Sequence, residues 1–332
     1  MKAILEALAS RQDLSREQAR QAFETLMSGE LSPGQAGALL MGLRAKGETA
    51  GEVAEAVAAC LARARLVPNL SGPRIDTCGT GGDCRGSFNC STAVGLVLAA
   101  MGHKVVKHGN RSVSSSCGSA DVLEALGFAL DTEPEAVAGE LARTGFVFLF
   151  APNYHPAFKH VVPLRRELGI RTLFNLLGPL LNPARPTHQI LGVASAAVMP
   201  LVAESLALSG VSRAAVIHGA LGYDELTPFG LNEVLFVKDG EITEAHIDPA
   251  PLGLAGGKPE NVTVAGKDEA LQVLKELLDG YGPLVMQHML TLNLAVALHL
   301  LEDVSIEEGA MRASAMLLSG DAGRHFGITG HA

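Results

Sequence analysis

The 332-residue chain is 48% hydrophobic and 18% charged, a balance that excludes a disordered or low-complexity protein, and its length predicts roughly two domains. Net charge is −9, from 26 Lys+Arg against 35 Asp+Glu, and with no Trp and three Tyr the composition excludes a basic, base-stacking nucleic-acid surface. No run approaches the roughly 20 uninterrupted apolar residues of a membrane span, since the apolar stretch 94–101 is soon followed by His103 and Lys104.

At the N-terminus, Glu6, Arg11, Asp13 and Arg16 interrupt the chain too early for a signal-peptide core, so a cytoplasmic location is expected. The odd count of five cysteines points the same way, to reduced thiols. Cys78, Cys84 and Cys90 are six apart, but without a CxxC or Cys/His pairing they do not read as a zinc site. Residues 1–65 are helical throughout, with apolar side chains at three- and four-residue spacings. Ser15 with Gln18 forms a capping-box pattern, and Ser32-Pro33-Gly34 and Gly47-Glu48-Thr49 read as breaks. This predicts a small all-helical domain over 1–68, with one face packed on a second subunit or on the rest of its own chain. The grammar then changes to strand 74–78, helix 92–101, strand 103–107, helix 119–126 and buried strand 147–150. Strand 214–217 follows, with helices 269–278 and 284–301 and a hairpin of 234–237 with 241–245 near one end. The fold class is α/β, with a small helical N-terminal domain and a larger domain over 72–332 whose central sheet is mostly parallel and surrounded by helices.

Four polar segments break this pattern. Cys78-Gly79-Thr80-Gly81-Gly82-Asp83 lies between a strand and a helix, where glycines turn consecutive N–H groups toward one point and the helix start adds positive potential, a cradle for an anion. Asn89, Ser91 and Thr92 supply donors at that helix start. A glycine-rich turn alone is often only a tight connection; it is neither GxGxxG nor a Walker loop. The run 107–115, KHGNRSVSS, leaves the next strand end, so two cations, an imidazole, an amide and hydroxyls face the same crevice. Arg165, Arg166 and Arg171 can grip an organic carboxylate, although two of the three are expected to be surface ion-pair partners. Asp224-Glu225 follows strand 214–217; adjacent acids are common on surfaces, but at this sheet end they suit Mg²⁺, which takes one or two carboxylates plus substrate phosphates.

Together the segments CGTGGD, NCST, KHGNRSVSS, GSADVLEALG, FLFAPNYHPAFK, PLRRELGIRTLFNLLGPLLNP and GYDEL, in this order over about 76–226, closely resemble anthranilate phosphoribosyltransferases. The helical N-terminal unit is similar too; the C-terminal third adds little. The resemblance implies transfer of the phosphoribosyl group of 5-phosphoribosyl diphosphate (PRPP) to the amine of anthranilate, giving N-(5-phosphoribosyl)anthranilate and diphosphate in L-tryptophan biosynthesis. It implies Lys107, His108, Asn110 and Arg165 as catalytic residues, His108 either for a proton transfer or in a structural role. PRPP would be bound by Gly79, Gly82, Asp83, Ser87, Asn89, Cys90, Ser91, Thr92, Lys107, His108, Gly109, Asn110, Arg111, Ser112, Val113, Ser114, Ser115 and Ser119. Anthranilate would be held by Gly79, Asn110 and Arg165. Ser91 and Glu225 would serve one Mg²⁺ and Asp224 with Glu225 a second, giving two per subunit. Part of the 165–185 region would pack on the helical domain, through which a homodimer would form; neither nucleic acid nor membrane is implied as a partner.

Two positions depart from the family: Cys84 stands where a glycine is usual, and Cys90 where an aliphatic residue is frequent. Thiols beside the diphosphate site predict sensitivity to alkylation. Two rival readings are weaker. A pyrimidine nucleoside phosphorylase fits KHGNR, RRELGIRT and the Asp-Glu pair less well. A non-catalytic, nucleic-acid-binding paralogue should be basic and should have lost metal or acceptor residues, whereas this chain retains Asp224, Glu225, Asn110 and Arg165.

Overall fold

The computed structural model describes residues 1–81, 85–111 and 118–328. Four helices open the chain: α1 (Lys2–Ala9), α2 (Arg16–Met27), α3 (Pro33–Lys46) and α4 (Ala50–Leu61). Their starts are written in the sequence. Ser15, Ser32 and Thr49 each accept the N–H of the residue three along, and Gln18, Gln35 and Glu52 reach back to the cap N–H, so both expected breaks are themselves capping boxes.

Strands and helices then alternate: β1 (Ile75–Gly79), α5 (Cys90–Ala100), β2 (Val105–Gly109), α6 (Ser119–Ala125), α7 (Val137–Thr144) and β3 (Phe146–Phe150). Short helices α8 (Ala151–Tyr154), α9 (Val162–Leu168) and α10 (Phe174–Leu177) lead to β4 (His188–Gly192), α11 (Met199–Ser209) and β5 (Arg213–His218). The hairpin β6 (Asn232–Lys238) and β7 (Glu241–Ile247) precedes α12 (Lys267–Leu278), α13 (Leu284–Glu302), α14 (Ile306–Ser319) and α15 (Asp321–Phe326). The seven strands form one sheet in the order β3-β2-β1-β4-β5-β6-β7, with the first five parallel and the hairpin antiparallel at one edge. Chain order reverses between β1 and β4. Loops leaving the carboxyl ends of these two strands diverge and open a crevice there.

The central strands β4 and β5 divide their side chains between two cores. Ile190, Ala215 and Ile217 face one side, under α5, α6 and α12 to α15. Leu191, Ala214 and Val216 face the other, against Val202 and Leu206 of α11. The helical lobe joins this second core: Phe23, Leu39, Val53 and Ala56 are continuous with it, as are Leu173, Phe174, Leu177 and Leu181 from the stretch before β4. One face of the lobe is thus covered by its own chain. Helix α13, with a mean hydropathy of 1.6, is the one described helix long and apolar enough to cross a bilayer, yet 67% of that stretch is buried inside the protein.

Several elements go beyond those expected from the sequence pattern, helices α7, α14 and α15 among them, and two bear on the sheet. β4 is a central strand, and such strands usually read as Val/Ile/Leu runs. Here His188 and Gln189 are buried at its start, with His188 Nδ1 2.8 Å from Thr187 Oγ1 and Gln189 donating to the Pro179 carbonyl at 2.6 Å. α11 carries Pro200 in its first turn and left-handed Gly210 just past its end, the signals that mark a helix of this kind.

Candidate active site

The register of β1 on β4 sets Gly79 beside Gly192 at the carboxyl edge of the sheet. Thr80 N–H donates to the Gly192 carbonyl at 2.8 Å, which extends the pairing by one residue. Across this edge lies the loop after β5. A Cβ on Gly192 would stand 1.5 Å from the Asp224 carbonyl oxygen, and one on Gly79 would stand 2.3 Å from Asp224 Oδ2. Glycine is therefore required at position 192, where the contact is with backbone, while a Cβ at position 79 would push the Asp224 carboxylate aside.

There Asp224 Oδ2 accepts the Gly81 N–H at 3.1 Å, and Glu225 Oε2 accepts the Ser87 hydroxyl at 3.3 Å. Ser87 is in turn placed by backbone pairing of its neighbours, with Phe88 N–H donating to the Val262 carbonyl at 2.9 Å and Val264 N–H to Gly86 at 3.0 Å. A small cavity below is lined by Thr77, Cys78, Ser91, Asp224, Glu225 and Asn293. Lys107, 1% exposed, reaches into this floor from β2, donating to the Thr77 carbonyl and to Ser91 Oγ at 3.1 Å. Burial lowers its pKa, opposed by the Asp76 and Glu225 carboxylates. Asp76 is fully buried beneath; desolvation raises its pKa to about 6 against the pull of Lys107 and of Asn182, which donates to it at 2.8 Å.

Oxygen donors from Asp224, Glu225 and Ser91 suit a hard cation. Among the described residues no group of three or more His, Cys, Asp and Glu forms a metal cluster, so an ion here must complete its shell with substrate oxygens and water. That matches the habit of Mg²⁺.

The rest of the expected set is placed as follows. Asn89 caps α5, and Thr92 is fully buried with Oγ1 lacking a partner among the described residues. Gly109 closes β2 so tightly that a Cβ would meet Ser119 Oγ at 2.8 Å. Asn110 Oδ1 accepts the Arg111 N–H at 2.8 Å, and the Arg111 guanidinium turns to α6, pairing with Asp121 at 2.9 Å and Glu124 at 2.8 Å. Cys90 has its thiol buried in the core and its N–H bonded to the Phe88 carbonyl. Burial holds the Cys90 and Cys78 thiols protonated, which removes these two as the basis for alkylation sensitivity. Gly82, Asp83, Cys84, Ser112, Val113, Ser114 and Ser115 lie outside the described residues.

At the junction between lobe and sheet, α9 packs on α3 and carries Arg165. This guanidinium is half-buried and makes no hydrogen bond or ion pair among the described residues; burial alone lowers its pKa. No hydrogen bond joins it to Gly79 or Asn110 among them. Nearby in the chain, His155 joins the site without a sequence motif to announce it. Its ring meets His108 edge-on, with centroids 5.2 Å apart, and meets Phe158 at 5.6 Å. Burial lowers His108 to about 3, with the His155 ring acting in the same direction, and lowers His155 to about 4. Both rings are neutral at physiological pH.

The comparisons with known proteins agree along the whole chain. Residues 71–323 match the model described as the a/b domain of a glycosyl transferase family, and residues 2–64 match the helical bundle domain of the same family. The anthranilate phosphoribosyltransferase of Nitratidesulfovibrio vulgaris is 56% identical over 325 residues, covering 96% of each chain. The crystal structure of the Thermus thermophilus anthranilate phosphoribosyltransferase superposes with a TM-score of 0.90 at 38% identity, covering 98% of this chain and 97% of that one. The Saccharomyces cerevisiae enzyme in complex with PRPP and Mg gives 0.88 at 28% identity, covering 98% and 95%.

Proposed function

This chain belongs to the anthranilate phosphoribosyltransferase family, and we propose that it carries out the family reaction, transfer of the phosphoribosyl group of PRPP to the amine of anthranilate in tryptophan biosynthesis. The observation that carries this reading is the Asp224-Glu225 loop laid on Gly79 and Gly192, a carboxylate pair beside a glycine-rich anion cradle. In the reaction the bond from the anomeric carbon to diphosphate breaks, the amine nitrogen bonds to that carbon, and the amine releases a proton.

The backbone from Gly79 to Gly81, with Ser87, Asn89, Ser91, Thr92 and Ser119, holds the diphosphate and ribose oxygens. Ser91 with Glu225 would hold one Mg²⁺, and Asp224 with Glu225 a second; such ions would supply positive charge to oppose that developing on the departing diphosphate. Lys107 adds a fixed positive charge from the floor, held in place by Thr77 and Ser91. Arg165 pairs with the anthranilate carboxylate and Asn110 orients the amine, which is neutral at working pH and needs no strong base. His108, uncharged, serves as a wall of the site. The helical lobe closes over the crevice and limits hydrolysis of PRPP.

A homodimer forms through the lobe, supported by the open groove between α1 and α3, lined by Leu5, Ala38 and Gly42 and flanked by exposed Met41. A reducing, cytoplasmic setting fits the free thiols of Cys60, Cys78 and Cys90. Mixing the protein with PRPP, MgCl₂ and anthranilate should quench anthranilate fluorescence, and EDTA should stop the loss. No Mg²⁺-dependent decrease would overturn the assignment.

A further inference from the structure

We propose that Asn293 and Asn232, two buried asparagines outside every substrate-facing motif, are positioning residues that hold the loop 220–227 so that Asp224 and Glu225 meet metal and diphosphate together. The proposal rests on the metal reading of those two carboxylates. Asn293 sits in the middle of α13, 4% exposed, between Leu292 and Leu294. Its Oδ1 accepts the Leu226 N–H at 3.1 Å, and its Nδ2 donates to the Leu226 carbonyl at 2.9 Å and to Met289 at 2.8 Å. One side-chain amide bonded to both backbone groups of one residue imitates a rung of a β-ladder. It fixes both the height and the rotation of the residue that follows Glu225.

Asn232 opens β6 and is fully buried. Its Oδ1 accepts the Ala220 N–H at 3.1 Å and the Thr227 N–H at 2.8 Å, and its Nδ2 donates to the Thr227 carbonyl at 3.0 Å and to Ile247 at 3.1 Å. Asn232 therefore ties the two ends of the loop to each other and to the hairpin, while Asn293 ties it to the core helix. Asp224 and Glu225 lie between these grips. A leucine would serve the apolar core at position 293 as well as its neighbours do, and a buried amide is unfavourable unless every bond is made. Apart from the turn-to-turn bond to Met289, what this amide does here is hold Leu226. Supporting bonds of this kind set the affinity of a metal site through its ligands.

The test is Mn²⁺ binding, followed by electron paramagnetic resonance in the presence of PRPP, on the wild type and on Asn293→Leu. The variant should bind Mn²⁺ about tenfold more weakly, its turnover should recover at high Mg²⁺, and its KM for anthranilate should not change. A role in stability alone would lower the melting temperature and leave metal affinity intact. Should Asn293→Leu fail to fold, Asn293→Ser keeps a bond to Met289, cannot span to Leu226, and should show the same loss. Wild-type Mn²⁺ affinity in a folded variant overturns the proposal alone; no Mn²⁺ binding by the wild type overturns the metal reading and the proposal with it.

Discussion

At the scale of single residues, Arg165 is a guanidinium taken partly out of water and given no carboxylate partner among the described residues. A charged hydrogen bond contributes about 1.5–3 kcal/mol, so Arg165→Ala should raise the KM for anthranilate about tenfold or more with little change for PRPP. Equal rises in both would remove the residue from the acceptor site. Gly192→Ala sets a methyl against the Asp224 backbone, which cannot swing aside as a side chain can. Displacing the carboxylates by an ångström should lower kcat about 100-fold, while the far-ultraviolet circular dichroism stays that of the wild type. The paired imidazoles bear on stability. His108 and His155 stay neutral in the native state down to about 3 and about 4, while in the unfolded chain they take up protons below 6.5. The unfolded state thus binds more protons as pH falls from 6.5 toward 4, and native stability drops over that window. Asp76, raised to about 6, acts in the opposite sense. His155→Asn should make the urea-unfolding free energy less steep between pH 6.5 and 4; an unchanged slope would contradict the assignment of that slope to the buried ring. The chemistry-bearing residues are legible in the sequence because glycines, acids and cations cluster at strand ends. Gly192 and His155 are not, since a lone glycine after Ile190-Leu191 and a histidine between tyrosine and proline carry no pattern until the fold brings them together.

Among elements, the N-terminal helices are the most legible, because capping is local chemistry. Glu52 does more than cap α4. It accepts the Thr49 N–H at 2.8 Å and the Leu14 N–H at 2.9 Å, and it pairs with Lys46 at 3.0 Å, whose side chain is 3% exposed. One carboxylate thus fastens the start of α4 to the end of α3 and to the turn before α2. Glu52→Ala leaves a buried ammonium with Asp13 as its remaining carboxylate, and should destabilise the protein by roughly 3 kcal/mol in urea denaturation. A change within a few tenths would mean that Asp13 suffices. β4 shows the opposite case. His188 is satisfied by the adjacent Thr187, and Gln189 by Pro179 and by the Cys78 thiol on the neighbouring strand, so its polar start hides a central strand from any reading of apolar runs. The hairpin β6–β7 is legible from Lys238-Asp239-Gly240, a turn signal that does not depend on tertiary context.

For the molecule as a whole, the second core runs without a break from Phe23 and Leu39 of the lobe to Leu191 and Val216 of the sheet. Burying a large apolar side chain contributes about 1.5–3 kcal/mol, so separating the lobe from the sheet would expose more than a marginally stable protein can lose. Thermal unfolding followed by helical signal and by tyrosine environment should therefore coincide. Two transitions would show that the lobe is an independent unit. Helix α13 carries a further consequence, for biosynthesis. On the ribosome this bilayer-like segment emerges after every strand of the sheet and after α5, against which it finally packs. Part of its docking surface therefore precedes it, and α14, which also packs on it, follows at once, so the helix can be covered soon after it appears. A circular permutant that led with α13 would reverse that order and present a long apolar helix to the cell with nothing yet made to cover it.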